Sequence, residues 1–192
     1  LINLRISGIT ISRLFGRKEF WSNNFYLNQE TLDPRPETEL IVDEVLNYLR
    51  LDLNNKFNKK ILDIGTGSGC ILLSLLSEDK SLSGVGTDIS ALAISQARAN
   101  ASFLNLSKRV NFINTNWTMG VTGKFDIIVS NPPYVKKSEN LPLDVLKNDP
   151  HLAIFSGDDG LNAYREIFSK IKIFMDKSTR LFIEIGKNQE NS

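Results

Sequence analysis

The hydrophobic pattern of the chain changes character at about residue 60. Beyond it, short apolar runs alternate with longer amphipathic segments, which is typical of a parallel α/β sheet whose crossover helices cover its faces. This alternation predicts a doubly wound, mostly parallel sheet with helices on both faces. The predicted strands are residues 61–64, 84–88, 110–114, 125–130 and 180–185, and the predicted helices are residues 70–77, 91–104 and 161–175, with a polar loop at about 136–159.

The segment before residue 60 has a different pattern and predicts smaller elements. Extended aromatic pieces around a polar turn favour a short β-hairpin, and closely spaced prolines favour a stiff loop before a helix. A polar stretch at residues 54–60 then leads into the first core strand. The predicted elements are a hairpin of residues 19–21 and 25–27 with its turn at 22–24, a loop containing Pro34 and Pro36, and a helix over residues 37–50.

Composition excludes several classes of protein. The 192 residues are 41% apolar and 23% charged, which excludes disordered and collagen-like chains, and no apolar run approaches the ~18–20 residues of a membrane-spanning helix. Lys+Arg 23 against Asp+Glu 22 leaves a formal net charge of +1, which disfavours a protein that grips long stretches of nucleic-acid backbone. The lone Cys70 and the lone His151 exclude an internal disulfide and a zinc cluster, so we expect a cytoplasmic protein without a metal.

The first chemical motif is Asp63-Ile64-Gly65-Thr66-Gly67-Ser68-Gly69, where a strand is predicted to lead into a helix. Glycines allow a sharp turn and a close approach of the backbone to a ligand, and the helix N-terminus offers unpaired N–H groups. Cys70 stands where a dinucleotide fingerprint would place its third glycine, and the Lys-Ser or Lys-Thr pair of a phosphate loop is absent, so a nucleoside without phosphates suits this spacing. Asp88, which ends the next strand, can accept hydrogen bonds from both ribose hydroxyls. The alternative is a tight turn with Asp88 as a helix cap.

The second motif, Ser130-Asn131-Pro132-Pro133-Tyr134, ends the fourth predicted core strand. Ligands of open parallel sheets bind outside the carboxyl ends of the strands at the switch point, so this motif is expected beside the glycine turn. A substrate amino group can donate one hydrogen to the Asn131 oxygen and the other to the Pro132 carbonyl, with Tyr134 against a planar amide or base. Both acceptors pair more strongly as the nitrogen gains positive charge, which suits methyl transfer from a sulfonium. The alternative is a turn that only closes the strand.

Together these motifs resemble the class I S-adenosylmethionine-dependent methyltransferases, and more narrowly the release factor glutamine N5-methyltransferases, the HemK or PrmC family. The resemblance implies a Rossmann-like fold and an enzyme that uses S-adenosyl-L-methionine. The substrate it implies is the side-chain amide nitrogen of the glutamine in the Gly-Gly-Gln motif of peptide-chain release factors. It covers nearly the whole chain and is carried by residues 16–21, 34–39, 62–69, 131–134 and 158–161.

The resemblance also implies roles for individual residues. Trp117 by itself is typical of a core or rim aromatic residue, and only the resemblance places it beside the adenine. Residues 35–39 are either a wall of the site or an acidic helix start. The implied cofactor-binding residues are Gly65, Thr66, Gly67, Ser68, Gly69, Asp88, Trp117 and Asn131, and the implied substrate-binding residues are Asn131, Pro132, Pro133 and Tyr134, with Asn131 and Pro132 acting in catalysis.

The chain departs from the family pattern in two respects. Asp33 stands where many members have an apolar residue, a change that we expect a loop to tolerate. The chain begins with Leu1 rather than methionine, and the fifth predicted strand comes shortly before its end, so we expect a fragment. We expect residues 1–15 to be a remnant of an N-terminal helical domain. Residues 16–50 are expected to form the hairpin, the proline-rich loop and the helix that precede the core. Residues 51–192 are expected to form a catalytic domain without its last two strands.

Three rival functions remain open. An adenine N6-methyltransferase of nucleic acids uses the same Asn-Pro-Pro-Tyr chemistry, but it must extract a base and hold the backbone with cations, which the net charge of +1 disfavours. A ribosomal-protein glutamine methyltransferase resembles the chain closely but carries a Ser-Pro-Ile-like stretch where this chain has Pro36-Glu37-Thr38. An inactive fragment that only binds the cofactor is the third.

Overall fold

All five predicted core strands are present in the structure, a computed structural model that describes residues 2–51 and 58–190. Most of the polar stretch predicted at 54–60 lies outside the described residues. The strands of the described part, numbered along the chain, are β1 Arg17–Phe20, β2 Asn23–Tyr26, β3 Lys60–Ile64, β4 Ser83–Asp88, β5 Val110–Asn114, β6 Ile127–Ser130 and β7 Arg180–Ile183.

Helices separate the strands as the amphipathic segments predict. Ser90 caps the helix that follows β4, because its hydroxyl accepts a hydrogen bond from the Ala93 N–H at 3.2 Å. The helix predicted over 37–50 begins with a 3₁₀ turn at Pro36–Thr38. The α-helices of the described part are α1 Ile2–Ile6, α2 Ile11–Phe15, α3 Glu39–Leu51, α4 Cys70–Glu78, α5 Ala91–Phe103, α6 Leu143–Asn148 and α7 Asn162–Ile171.

The core sheet is parallel throughout and has the strand order β5-β4-β3-β6-β7. The chain builds one half outward from β3 to β5 and then returns to add β6 on the other side of β3. The doubly wound topology is therefore confirmed, and the switch point lies between β3 and β6. At that point the carboxyl ends of both strands open onto one crevice.

Successive residues of the central strands face opposite sides of the sheet. Ile61 and Ile127 belong to one buried cluster, whereas Leu62 and Ile128 belong to another. Helices α3, α4 and α5 pack on the first side, and α7 packs on the second. Helices thus cover both faces, as predicted. No helix within residues 2–51 and 58–190 is both long and apolar enough to cross a membrane.

The hairpin is confirmed, but its predicted turn at 22–24 is wrong. The register of β1 and β2 leaves Trp21 and Ser22 as a two-residue loop, and their φ angles of 48° and 57° are those that a type I′ turn requires. The backbone N–H of Trp21 donates to the Glu39 carboxylate at 2.8 Å, and its indole N–H donates to Glu78 at 2.9 Å. These tertiary hydrogen bonds hold Trp21 in a positive-φ conformation. Local propensity alone favours Asn23 and Asn24 for such a turn.

Three predicted boundaries also change. β6 begins at Ile127 rather than at residue 125, because the Phe125 N–H donates to the Phe174 carbonyl instead of joining the strand. The segment predicted as a loop at about 136–159 contains α6 and a 3₁₀ turn at His151–Ala153. Near the end of the chain, α7 gives way to a 3₁₀ turn at Lys172–Phe174, and β7 stops two residues earlier than predicted.

A charge cluster of Arg13, Lys18, Asp33, Arg35 and Asp149, in which the two aspartates are buried, connects the N-terminal elements to the segment after α6. Asp33 lies in an irregular segment, as expected of a loop, but it is buried: its carboxylate lies 3.7 Å from the Lys18 Nζ, and its N–H donates to Asp149 at 3.1 Å. Asp149 also pairs with Arg13 at 2.9 Å and with Arg35 at 2.5 Å. The cluster therefore fixes the proline-rich loop against the crevice.

Candidate active site

The glycine turn between β3 and α4 forms a backbone cradle. Gly65, Gly67 and Gly69 have φ angles of 75°, 56° and 83°, a region in which a side chain is strained. A Cβ atom on Gly65 or Gly67 would meet nothing within 4 Å, whereas one on Gly69 would lie 3.0 Å from the Leu73 side chain. The first two glycines therefore leave open space for a ligand, and the third allows close packing with α4.

Asp88 lies beside this cradle at the carboxyl end of β4. Its Oδ2 accepts a hydrogen bond from the Gly67 N–H, and its Oδ1 accepts one from the Ser90 N–H, both at 2.9 Å. Burial raises the pKa of this carboxyl, and the backbone hydrogen bonds oppose the shift. Each carboxylate oxygen keeps a second acceptor position, so two hydroxyls of a ribose can still be bound.

A cavity of about 340 Å³ opens in front of the cradle. Trp117, with φ 53°, lines this cavity and also packs against the second core cluster, so it is both a core aromatic and a wall. Gly69 is not among the lining residues, and neither is Pro132. The predicted residues that line this cavity are Gly65, Thr66, Gly67, Ser68, Asp88, Trp117, Asn131 and Pro133.

A second cavity, of about 660 Å³, lies on the other side of the Asn-Pro-Pro-Tyr motif. Tyr134 lines it, together with the cationic side chains of Lys136 and Lys187. Asn131 and Arg35 line both cavities. The motif thus separates a chamber bounded by the glycine turn from a groove bounded by charged side chains, and Asn131 is accessible from both.

The side chain of Asn131 is held by hydrogen bonds. Its Nδ2 donates to the Thr38 hydroxyl at 3.0 Å, and that hydroxyl donates to a Glu184 oxygen at 2.7 Å. The Tyr134 hydroxyl donates to the other Glu184 oxygen at 3.2 Å. Pro132 is buried, and among the described residues no donor pairs with its carbonyl oxygen. The Pro132 carbonyl and the Asn131 amide oxygen are therefore acceptors without a partner in this part of the chain.

Thr38 and Glu184 were not among the predicted site residues. Thr38 lies in the 35–39 segment, for which the sequence allows either a wall of the site or an acidic helix start. Arg35 and Thr38 of this segment line the first cavity. Glu184 directly follows β7, whose carboxyl end opens onto the same crevice. An acid at the end of a strand that neighbours the motif strand is the signal that identifies it.

Asp63 is fully buried under the glycine turn. Its Oδ2 accepts a hydrogen bond from the Thr66 hydroxyl at 2.7 Å. Burial raises its pKa to about 7, against the effect of the Thr66 hydrogen bond, and the neighbouring charge of Asp88 adds to the increase. The cradle therefore rests on a carboxyl group whose charge changes near neutral pH.

Within the described ranges, no group of three or more histidine, cysteine or acidic side chains is arranged to hold a metal.

Comparisons with known proteins agree with this geometry. The family model of the methyltransferase small domain matches residues 39–148, more than half of the chain. A crystal structure of a SAM dependent methyltransferase from Agrobacterium tumefaciens covers 88% of this chain and 52% of its own, with a TM-score of 0.58 and 14% identity. At that identity the likeness shows the fold alone, a class I methyltransferase fold.

Closer relatives come from curated proteins. The release factor glutamine methyltransferase of Agrobacterium fabrum is 41% identical over 98% of this chain and 66% of its own length. The release factor glutamine methyltransferase of Buchnera aphidicola subsp. Baizongia pistaciae is 40% identical over 100% of this chain and 68% of its own length. The chain thus spans about two thirds of the length of these relatives. It belongs to the methyltransferase small domain family and, within it, to the release factor glutamine methyltransferases.

Proposed function

We propose that this chain transfers the methyl group of S-adenosyl-L-methionine to the side-chain amide nitrogen of the glutamine in the Gly-Gly-Gln motif of a peptide-chain release factor. The observation that carries the proposal is that Asn131 is reached from both cavities. A cofactor in the first chamber and an amide in the second groove then meet at one side chain. The names of the relatives support the choice of acceptor.

The residues of the first chamber fit the cofactor. The space above Gly65 and Gly67 is free of atoms within 4 Å of an added Cβ, so a ligand can approach the backbone there. Asp88 suits the ribose hydroxyls, and Trp117 suits the adenine face. A nucleoside without phosphates needs no lysine at this turn, and the described lining contains none.

The catalytic contribution of the chain lies in two acceptors. The Asn131 amide oxygen and the Pro132 carbonyl each accept one N–H of the substrate amide. Both hydrogen bonds strengthen as the nitrogen becomes positive, so they stabilise the transition state more than the ground state. Holding the acceptor in line also contributes, and well-oriented intramolecular reactions gain on the order of 7–11 kcal/mol in this way.

When held in the first chamber, the cofactor would supply an electrophilic methyl group to the amide nitrogen lone pair, and sulfur would keep the electron pair of the broken C–S bond as a neutral thioether. The methylated nitrogen then loses one proton, and because an N-protonated amide is a strong acid, water suffices as the base. The Asn131 oxygen and the Pro132 carbonyl hold the two N–H groups until one of them is released.

The second groove suits a protein segment. Its lining contains Arg35, Lys136 and Lys187 together with Glu139 and Asp159, so it is a surface of mixed charge rather than a continuous basic strip. A nucleic-acid backbone requires the latter. We therefore propose release factors as the partners, in the cytoplasm where translation ends, with no direct nucleic-acid contact and no metal requirement.

The proposal is tested by supplying methyl-labelled S-adenosyl-L-methionine with three acceptors in parallel: a release factor, a mixture of ribosomal proteins and duplex DNA. We expect label in the release factor and its loss when the glutamine of the Gly-Gly-Gln motif is replaced by alanine. Label in ribosomal proteins alone would favour the rival amide enzyme, and label in DNA alone would contradict the proposal.

A further inference from the structure

Three segments that are distant in sequence meet in one chain of hydrogen bonds behind Asn131. The Asn131 Nδ2 donates to the Thr38 Oγ1, the Thr38 Oγ1 donates to the Glu184 Oε2, and the Tyr134 hydroxyl donates to the Glu184 Oε1. Thr38 is 2% exposed, so water does not replace its partners. The proposed function uses the Asn131 oxygen but does not explain what orients it.

The direction of these hydrogen bonds follows from counting protons. A hydroxyl has one proton, and an ionised carboxylate can only accept. The single proton of Thr38 is therefore directed at Glu184, which leaves the Thr38 oxygen only as an acceptor toward Asn131. The amide must then present its NH₂ group to Thr38 and its oxygen in the opposite direction. An amide turned by half a rotation would place two acceptor oxygens against each other.

We propose that Thr38 and Glu184 are positioning residues that fix the rotamer of the Asn131 amide, so that its oxygen rather than its NH₂ group meets the methyl acceptor. This inference rests on the proposed function. A reversed amide would direct its own N–H groups at the substrate N–H groups, and the bond that strengthens in the transition state would be lost. The ionised Glu184 carboxylate is the group that determines which orientation is stable.

The charge state of Glu184 is set by its surroundings. Burial raises its pKa, and the negative charge of Glu37 acts in the same direction, whereas the hydrogen bonds from Thr38, Tyr134 and Asn131 lower it. From α7, the Tyr164 hydroxyl donates to the Glu184 backbone carbonyl at 3.1 Å. Arg35 lies near Tyr134 and opposes the rise in the pKa of that phenol, which burial and the Glu184 charge raise to about 12. The net shift is upward, so protonation begins at a higher pH than for a free glutamate.

Protonation of Glu184 removes the constraint on the direction of the hydrogen bonds between Glu184, Thr38 and Asn131. A neutral Glu184 can donate its own proton to Thr38, whose proton is then free to turn toward the Asn131 oxygen. Both amide orientations become acceptable, and the fraction in the productive one falls. Turnover is therefore expected to decline as the pH falls through the raised pKa of Glu184, and this decline is a property that a merely structural contact would not produce.

The test compares kcat for the wild-type chain and its variants at saturating cofactor and release factor. Thr38→Val removes the hydroxyl at nearly constant volume, and kcat is expected to fall about tenfold or more, the value of one hydrogen bond in a charge-assisted relay. Thr38→Ser restores the hydroxyl and is expected to restore kcat to within about twofold. Glu184→Gln cannot titrate, so the acidic limb of the wild-type pH profile is expected to disappear.

Thr179→Val is the matched control. The Thr179 hydroxyl is also buried, donates to the Phe125 carbonyl at 2.7 Å and accepts from the Asp176 N–H at 2.9 Å, but it lies at the opposite end of β7 from Glu184. Its loss is expected to lower the unfolding temperature without changing kcat. Thermal unfolding of all four variants separates lost folding from lost positioning.

The outcomes distinguish the two proposals. A wild-type chain that methylates no release factor contradicts the proposed function. A wild-type chain that is active, with a folded Thr38→Val whose kcat falls no more than that of Thr179→Val, overturns the positioning role alone. An acidic limb that persists in Glu184→Gln overturns it as well.

Discussion

Replacing the carboxylate of Asp149 with an amide is expected to destabilise the fold by about 3 kcal/mol, the lower end of the cost of removing one partner from a buried ion pair. The Asp149 side chain is 3% exposed and holds Arg13, which is 11% exposed, at 2.9 Å. It also holds Arg35, which is 34% exposed, at 2.5 Å. Because Arg35 keeps contact with water, most of the penalty comes from the Arg13 guanidinium that loses its charged partner.

Urea unfolding and thermal unfolding of Asp149→Asn, both followed by far-ultraviolet circular dichroism, measure this loss. For a domain of this size, 1 kcal/mol corresponds to roughly 2–4 °C, so the unfolding temperature is expected to fall by about 6–12 °C. Asp159→Asn is the matched control. Its Arg165 partner lies at 2.6 Å, but the two side chains are 47% and 59% exposed, and water replaces such a pair at little cost.

Both variants remove a close aspartate–arginine pair. The difference between their free energies of unfolding therefore isolates the effect of burial. If Asp149→Asn unfolds at the same urea concentration as Asp159→Asn, the reasoning is refuted and the charge cluster does not hold the proline-rich loop. Arg35 contributes a wall of both cavities, so we also expect the Michaelis constant for the release factor to rise in Asp149→Asn. The exposed pair is expected to change stability only slightly.

Three further results are expected. Asn131→Ala is expected to lower kcat by roughly 10²–10³, as removal of one transition-state partner does, while cofactor affinity changes little; unchanged turnover per bound complex would contradict this role. Asp88→Ala is expected to weaken cofactor binding about tenfold or more, because two hydroxyls lose an ionised acceptor; an unaltered dissociation constant by calorimetry would remove Asp88 from the site. Stability is expected to fall as the pH rises toward about 7, since the raised pKa of Asp63 means that the folded state retains a proton that the unfolded state has lost. The slope is about 1.4 kcal/mol per pH unit at most, and urea titrations of Asp63→Asn at several pH values should lack it.

The parts of the fold that local chemistry determines could be predicted from the sequence. β5 has the predicted bounds, and Ser90 caps α5, because strand runs and capping hydroxyls act over a few residues. The turn at Trp21 and Ser22 could not be predicted, since carboxylates on two helices hold it. Helix α6 was missed for a different reason: its six residues are too few to show a helical period.

In the candidate site, too, the residues set by local backbone chemistry could be predicted, whereas those set by tertiary contacts could not. Gly65 and Gly67 were identifiable because their backbone conformation favours glycine, and Pro132 because it removes a donor. Thr38 and Glu184 act through side chains, and although the end of a strand marks Glu184 as a candidate, no local pattern connects it with Thr38 or Asn131. Their partners are 93 and 146 positions away in the chain, which is beyond the reach of any motif.

The register of the sheet is what brings these distant groups together. Ser130 of β6 pairs with Ile183 of β7, and the Glu184 N–H continues the ladder by donating to the Ser130 carbonyl at 3.0 Å. Asn131 and Glu184 are therefore the next pair beyond the two strands. A slip of β7 by one residue along β6 would move Glu184 out of register with Asn131 and turn its side chain to the other face of the sheet. Under the positioning proposal, the register of β6 and β7 thus places the carboxylate that orients the Asn131 amide.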